Sequence, residues 1–502
     1  MDTAVERLLR AIRSGEKIEI HGDYDVDGTT STVILKTAIE MAGGACTFSI
    51  PHRLRDGYGL QLAAVERAAQ AGVTLIVSVD TGIRANALVE RARELGIDVI
   101  VTDHHLPESE LPRAVAVINP NRLDCEYPNK GLCGVGVAFK VVEALLARLN
   151  WDPAKLRRVL DSFLKLVAIG TVADVVPLTG ENRAIVKLGL VGLRTVNNPG
   201  LRALLDSAGV ESGSQPTARQ VGFQIAPRIN AAGRMASADR VVELFFTRDG
   251  ARAREIAAEL QRLNTERQAE EAEIKEFCVN QPVDDTQFAL VLSGAGWHRG
   301  VLGIVASRVV EQFGRPTFVL GEENGECVGS GRSIAGFHLL DALESMRDLF
   351  AKFGGHSHAA GLTLRADSVN AFRERLNARA ASLLTLEDLQ PSLEVDAVAK
   401  LSDLDDGFFD QLQALEPFGS GNRSPVFAAM DLEVESAPRL MKEKHLRVNL
   451  RQGSRSLNFK GFNFAHRLDE FAMGTRIDAA FALEEDSYNG GWSAILKDVR
   501  VR

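Results

Sequence analysis

The sequence predicts a multidomain α/β protein that ends in a β-barrel, and three observations carry that reading. Short apolar strands alternate with helix-length segments over about the first 120 residues, the pattern of a parallel sheet with right-handed crossovers. A long charged segment free of internal Gly and Pro then leads into a second strand–helix alternation. About the last 110 residues hold short strands punctuated by turn signals, as in a small barrel. At roughly 100–200 residues per domain, 502 residues suffice for about three.

Along the chain, KIEIHG reads as a strand followed by a helix from about Thr29, and LIVSVD as a strand followed by a helix from about Ala85. DVIVTDHH and AVAVINP supply two more strands. From about Val135 to Ser207 the periodicity is helical, and the Gly/Ala/Arg-rich GFQIAPRINAAGRM extends the same domain. Between Ala251 and Phe277, Ile256, Leu260 and Leu263 recur at helical spacing and predict one long helix, either a connector or a bundle helix of the first domain. FALVLSG, a helix after Gly300, PTFVL, CVGSGRS and GGHSHAAGLTL form the second α/β unit, closing near Leu389. Beyond Pro391, the turn signals FGSGN, RQGS and YNGG separate short strands. The expected boundaries are 1–249, a connecting helix at 250–280, 281–390 and 391–502.

Apolar residues at 45% and charged residues at 25% exclude disordered and fibrous classes. No apolar run approaches membrane-helix length, and MDTAVERLLRAIRSGEK reads as a charged amphipathic helix rather than a signal peptide, so the expected location is the cytoplasm. The five cysteines form no CxxC pair and read as reduced thiols. A net charge of −9 excludes a uniformly basic nucleic-acid coat but allows a local basic patch.

The segment IHGDYDVDGTTS places His21, Asp23, Asp25 and Asp27 directly after a strand and Gly28 to Ser31 at the start of a helix. Carboxylates on alternate residues repel one another unless cations neutralise them, and a divalent metal is the simplest neutraliser; a solvated helix-capping turn is the bland alternative. Asp80 after LIVSV, and Asp103, His104 and His105 after DVIVT, repeat the arrangement at equivalent strand ends, where open α/β sheets bind ligands. Asp174, inside the apolar run IGTVADVVPL, is a further candidate ligand, since a buried carboxylate without compensation costs several kcal/mol. Oxygen and imidazole donors without thiolate suit Mn2+ or Mg2+, with Asp80 on the central strand as the natural bridge between two ions.

HGDYDVDG, SVDTG, the Asp-His-His triplet and TVADVVP, in that order, resemble the four motifs of the DHH phosphoesterase superfamily. With PRINAAGRM, GGHSHAAG and EPFGSGN added, the chain is similar over nearly its whole length to the single-strand-specific exonucleases of that superfamily, although it opens only about 20 residues before the first motif. The resemblance implies a parallel-sheet DHH domain, a connecting helix, a smaller α/β DHHA1 domain and a C-terminal barrel of OB type. It implies that His21 and Asp25 hold one metal and Asp27, His104 and Asp174 the other, with Asp80 shared and Asp23 supporting or substituting. His105 would sit near the scissile phosphate, with Asp103 orienting an imidazole. Two cations of Mn2+ or Mg2+ would then drive hydrolysis.

In the second α/β unit, Gly354 and Gly355 would admit a phosphate, with His356 donating to the developing charge and His358 beside it. Ser330 and Arg332, completed by Arg53 and Arg55 ahead of Asp56-Gly57-Tyr58-Gly59, suit a terminal 5′-phosphate, whereas each arginine read alone is an ordinary surface ion pair. Arg228, Asn230 and Arg234 are expected to guide the strand. Residues 439–467 carry eight Lys/Arg against one acidic residue, with Phe459, Phe462 and Phe464 interleaved, the composition of a single-strand-binding groove; the phenylalanines alone read as barrel core. The expected activity is 5′→3′ degradation of single-stranded DNA to 5′-mononucleotides in repair and recombination, with a single-strand-binding protein and a helicase as partners and no membrane. The alternatives are a phosphodiesterase of short oligonucleotides or cyclic dinucleotides and, from another class, a non-catalytic DNA-binding scaffold.

Overall fold

The computed structural model describes residues 1–53, 55–57, 59–486 and 490–502. The chain divides into two compact units, 1–391 and 392–502.

In the first unit, α1 (Asp2–Ser14), β1 (Ile18–Gly22), α2 (Val26–Met41), β2 (Cys46–Ser49), α3 (Leu62–Gln70), β3 (Leu75–Val79), α4 (Asn86–Glu94), β4 (Asp98–Thr102) and β5 (Ala116–Ile118) build a five-stranded sheet of order β2-β1-β3-β4-β5. Every pairing is parallel. Strand alternation feeds two layers: Leu75, Val77 and Val79 pack with α1, α2 and the later α5 (Gly134–Ala147), while Ile76 packs with α3 and α4 on the opposite face. The edge strand β2 was not legible in the sequence, because four half-exposed residues, Cys-Thr-Phe-Ser, show no apolar run.

Helices α6 (Pro153–Ala173), α7 (Gly180–Gly192), α8 (Pro199–Ser207), α9 (Ala218–Gln220), a π-helical stretch Val221–Ile225, α10 (Ala226–Met235) and α11 (Asp239–Phe246) form the helical layer. The long helix α12 (Gly250–Val279), capped by Asp249, has two roles. Its first half buries Ala253, Ile256, Leu260 and Leu263 in the core of that layer. Its end places Ile274 and Cys278 in a separate core with α13 (Leu302–Phe313).

A second five-stranded sheet, ordered β6-β7-β8-β10-β9, comprises β6 (Leu290–Ala295), β7 (Thr317–Glu323), β8 (Glu326–Arg332), β9 (Phe350–Gly355) and β10 (Ala359–Arg365). Only β6–β7 is parallel; the rest is antiparallel. Helices α14 (Leu339–Glu344) and α15 (Val369–Ala381) cover one face.

The second unit is a closed barrel. Strands β12 (Phe427–Val434), β16 (Arg476–Glu485), β17 (Trp492–Val501), β15 (Arg455–Gly461) and β14 (His445–Gln452) follow one another, and β12 pairs with β14 to complete the ring. Short strands β11 (Ala397–Val398) and β13 (Arg439–Met441) flank it. The unit also contains α16 (Asp406–Gln413), which the sequence reading missed; an Asp405 cap and the apolar pair Phe409 and Leu412 suffice for two turns. Half of the expected YNGG turn, Tyr488 and Asn489, lies outside the described residues, as does Tyr58.

Candidate active site

Three strands end level with one another at the carboxyl edge of the first sheet: Gly22 pairs in register with Val79, and Val79 with Thr102. The next residue on each strand is an aspartate, so Asp23, Asp80 and Asp103 stand in one layer by register alone. Helix α2 starts at Val26, three residues earlier than the periodicity suggested, because Asp25 is its N-cap and accepts from the Gly28 amide at 3.0 Å. Asp27 therefore occupies the first turn of α2, and Asp174 caps the carboxyl end of α6.

These side chains converge. Asp27, His104 and Asp174 offer ligand atoms within 4.8 Å of one another, as do Asp23, Asp25 and Asp80, and Asp80, His104 and His105. His104 Nε2 lies 3.2 Å from Asp80 Oδ1, 3.7 Å from Asp174 Oδ2 and 3.8 Å from Asp27 Oδ2. Asp23, assigned a supporting part from the sequence, closes the group with Asp25 and Asp80, whereas His21 belongs to none of the three groups. His21 is buried, with neither ring nitrogen hydrogen-bonded at normal geometry; burial lowers its pKa to about 4 against a weak Gly59 backbone contact.

Electrostatics fit a cation site. Burial, and then the neighbouring Asp25, raises Asp27 to about 7; burial and then Asp27 raises Asp174 to about 9. Burial and the charge of Asp27 push Asp80 well above the usual carboxylate range, and burial and Asp25 do the same for Asp23. Asp23 Oδ1 and Asp174 Oδ2 are buried acceptor atoms without a hydrogen-bond donor among the described residues. Carboxylates so arranged are an uncompensated cost until cations supply the missing charge, and all-oxygen-and-imidazole donors suit Mn2+ or Mg2+. Burial lowers His104 to about 4, leaving the imidazole neutral and able to ligate.

Asp103 does something different. It is buried, and its carboxylate accepts from the Ile83 amide at 2.9 Å, the His104 amide at 2.7 Å and the His105 ring Nδ1 at 2.7 Å. Burial works against its charge, but the His105 contact outweighs it and Asp103 stays below its ordinary value. Reciprocally, burial opposes the His105 charge and the Asp103 contact prevails, raising the imidazole. His105 faces a cleft of about 450 Å³ that is also lined by Ile83, Arg84, Asp103 and His356.

Two sets of residues here carry no advance signature. The Asn119 and Asn121 carboxamides donate to the His105 and His104 carbonyls, holding the Asp-His-His loop from behind, and the Gly134 and Val135 amides of α5 donate to Asp27 at 2.5 and 2.6 Å. An INPN run after a strand and a glycine opening a helix are the only hints.

Of the expected substrate-binding residues, four gather: Ser330, Arg332 and Arg53 of the phosphate set and Arg234 of the strand-guiding set. Arg332 donates to Ser330 Oγ at 3.1 Å, and after burial its guanidinium is destabilised by Arg53. Burial, then Arg53 and Arg267, lowers Arg234 to about 10. The Arg53 guanidinium lies over the Tyr24 ring at 5.2 Å. Guanidiniums that repel one another beside a hydroxyl have the chemistry an anion would need.

The other candidates have structural surroundings of their own. Arg55 is exposed and forks onto Asp56, the bland ion pair. Arg228 is spent on the Gln224 and Ser207 carbonyls. Asn230 accepts from the Val26 amide at 3.2 Å and thereby pins the start of α2, though with Arg234 it also lines a cleft of about 490 Å³. Gly355 adopts φ 147°, and a Cβ there would meet the Ala359 carbonyl at 2.4 Å, so the β9–β10 hairpin requires glycine on both counts, while Gly354 faces open space. His358 is exposed, and its carbonyl accepts from the Ser333 amide. In the barrel, Phe459 and Phe464 are core; Phe462, half-exposed against His445, is the one available for stacking.

Comparison with known proteins matches this architecture. Residues 17–171 match the DHH family, N-terminal domain, residues 285–382 the DHHA1 domain and residues 395–497 the RecJ OB domain. The chain is 41% identical over 496 residues to the single-stranded-DNA-specific exonuclease RecJ of Bacillus subtilis, covering 97% of this chain and 62% of that one. To the RecJ of Dickeya dadantii it is 38% identical, covering 98% and 88%. The crystal structure of Thermus thermophilus RecJ in complex with Mn2+ superposes with a TM-score of 0.85 at 33% identity, covering 99% and 71%.

Proposed function

The chain belongs to the RecJ family, and from that premise we propose that it degrades single-stranded DNA from the 5′ end to 5′-mononucleotides by two-cation hydrolysis. The single observation that carries this reading is the convergence of Asp27, Asp80, His104 and Asp174, from four separate segments, on one sheet edge. Asp27, His104 and Asp174 would hold one cation and Asp25 the other, with Asp23 or His21 completing the second and Asp80 available to both. When bound, the two ions supply an activated water and neutralise charge on the phosphate. The Asp103–His105 pair favours the charged imidazole at the cleft, where it would donate to that phosphate, and His356 lines the same space.

Polarity rests on the Arg53, Arg234, Ser330 and Arg332 pocket, which takes a terminal phosphate. The Arg332→Ala variant is expected to raise KM for a 5′-phosphorylated strand by about 10–100-fold, the scale of one charge-assisted contact of about 1.5–3 kcal/mol, and to leave a 5′-hydroxyl strand nearly unchanged. Equal loss on both strands would remove the pocket from the reading.

In the barrel unit, Arg439 stands opposite Arg447, and Arg447 opposite Lys460; Lys460 is paired with Asp486 at 2.7 Å, which leaves Arg439 and Arg447 as a row of like charge on two facing strands. Such a row is unfavourable in isolation and suits a phosphate backbone. Replacing Arg439 and Arg447 by alanine is expected to weaken single-strand binding and reduce the slope of log K against log salt by about 1.4, at roughly 0.7 per cation. An unchanged slope would exclude this face.

A place in repair and recombination, in the cytoplasm beside a single-strand-binding protein and a helicase, follows from the family reading. No described helix is long and apolar enough to cross a membrane. The deciding experiment is digestion of a single strand labelled at each end in turn, with Mn2+ and with chelator. Mononucleotide release from the 5′ end in Mn2+ alone is expected; 3′ release, internal cutting or chelator resistance overturns the proposal.

A further inference from the structure

We infer that Gly134, the first residue of α5, is a positioning residue that sets the two central carboxylates of the cation site against one another. Its backbone amide donates to Asp27 Oδ2 at 2.5 Å, and the next amide, of Val135, donates to Asp27 Oδ1 at 2.6 Å. Both oxygens of Asp27 are thereby oriented by one helix start, whose partial positive charge also offsets the clustered carboxylates. On its other side, Gly134 is where Asp80 lies: a Cβ at this position would sit 2.6 Å from Asp80 Cβ and Oδ1 and 2.8 Å from its Cγ. No side chain fits there.

Asp80 has little room to retreat, because it is buried, holds φ 60° and is fixed through its amide to the Thr102 carbonyl at 3.0 Å. One glycine thus makes the Asp27-to-Asp80 spacing possible, by donating to the first and leaving space for the second. The φ of Gly134 is not positive, so backbone conformation does not require glycine here; the neighbouring carboxylate does. Gly136, one residue beyond Val135 on the same helix, lacks this relation, its Cβ meeting only the Leu132 side chain and Cys133 Sγ, at 3.0 Å or more.

The inference rests on the two-cation reading, and the test separates the two. Mn2+ is titrated calorimetrically into the metal-free full chain, the Gly134→Ala variant and the Gly136→Ala variant. Wild type and Gly136→Ala are expected to take two ions alike. Gly134→Ala is expected to lose one ion or to bind about 10–100-fold more weakly, the scale seen when a ligand's support is removed. Two ions at wild-type affinity in Gly134→Ala overturn the inference, whereas no Mn2+ binding by wild type overturns the two-cation reading itself. Folding is checked in a second background: the melting temperature lost on Gly134→Ala is expected to be largely recovered when Asp80 is also replaced by glycine, which removes the three atoms nearest the new Cβ. The same loss in both backgrounds shows that Asp80 is not what Gly134 accommodates, and overturns the inference.

Discussion

Replacing Asp80 by alanine is expected to lower cleavage of single-stranded DNA by about 1,000-fold or more while single-strand affinity, measured by fluorescence anisotropy in chelator, stays within about threefold. Asp80 participates in two of the three ligand groups and stands on the central strand, so its removal unmakes the shared position and leaves each cation with fewer donors. Loss of several kcal/mol of transition-state stabilisation corresponds to that factor, at about 1.4 kcal/mol per tenfold. Binding is spared because the basic row on the barrel and the guanidinium pocket lie on other elements. The variant should also melt higher than wild type in chelator, since it relieves a buried carboxylate whose neighbours Asp27 and Asp25 resist its charge. Cleavage within about tenfold of wild type would show that the shared position is not at Asp80.

Asp23, Asp80 and His104 were legible because each stands just after a strand, and a parallel sheet brings residues after adjacent strands to one edge whatever their separation in sequence, whereas Asp174, which closes α6, was legible as a carboxylate inside an apolar run. Register then decides detail that spacing leaves open, which is how Asp23 joins Asp25 and Asp80 while His21, two residues earlier and still within β1, falls outside the three groups. What stayed hidden is support supplied by backbone: the amides that hold Asp27 belong to Gly134 and Val135, and an amide donor has no residue signature. Arginines fail for the opposite reason. A guanidinium fits carboxylate, carbonyl or phosphate equally well, so Arg55 on Asp56, Arg228 on two carbonyls and Arg332 in the pocket read alike until their partners are placed. The barrel phenylalanines divide by pleat: Phe459 points inward on β15, while Phe462 follows the strand and remains half-exposed.

Metal-free protein is expected to lose thermal stability as pH rises from about 6.5 to 9, and the melting-temperature gain from Mn2+ is expected to widen over the same range. Asp27 and Asp174 are raised by burial to about 7 and about 9, so the metal-free fold retains protons that the unfolded chain gives up near its ordinary carboxylate range. A folded state that binds more protons than the unfolded one is most favoured at low pH and loses that advantage as pH climbs through the folded values. The buried imidazoles do not mask the effect. His21 and His104 are lowered to about 4, so their contribution rises with pH and is complete near the unfolded histidine value of about 6.5, below the window in question. Above it, the raised His105 loses stability in the same direction as the carboxylates, so the widening of the Mn2+ gap is what reports the carboxylates. A divalent cation displaces their protons and restores compensation, so binding releases protons and tightens with pH. Melting curves at pH 6.5, 7.5 and 8.5, in chelator and in Mn2+, test this directly; parallel curves separated by a constant gap would mean that the clustered carboxylates are not where the cations bind.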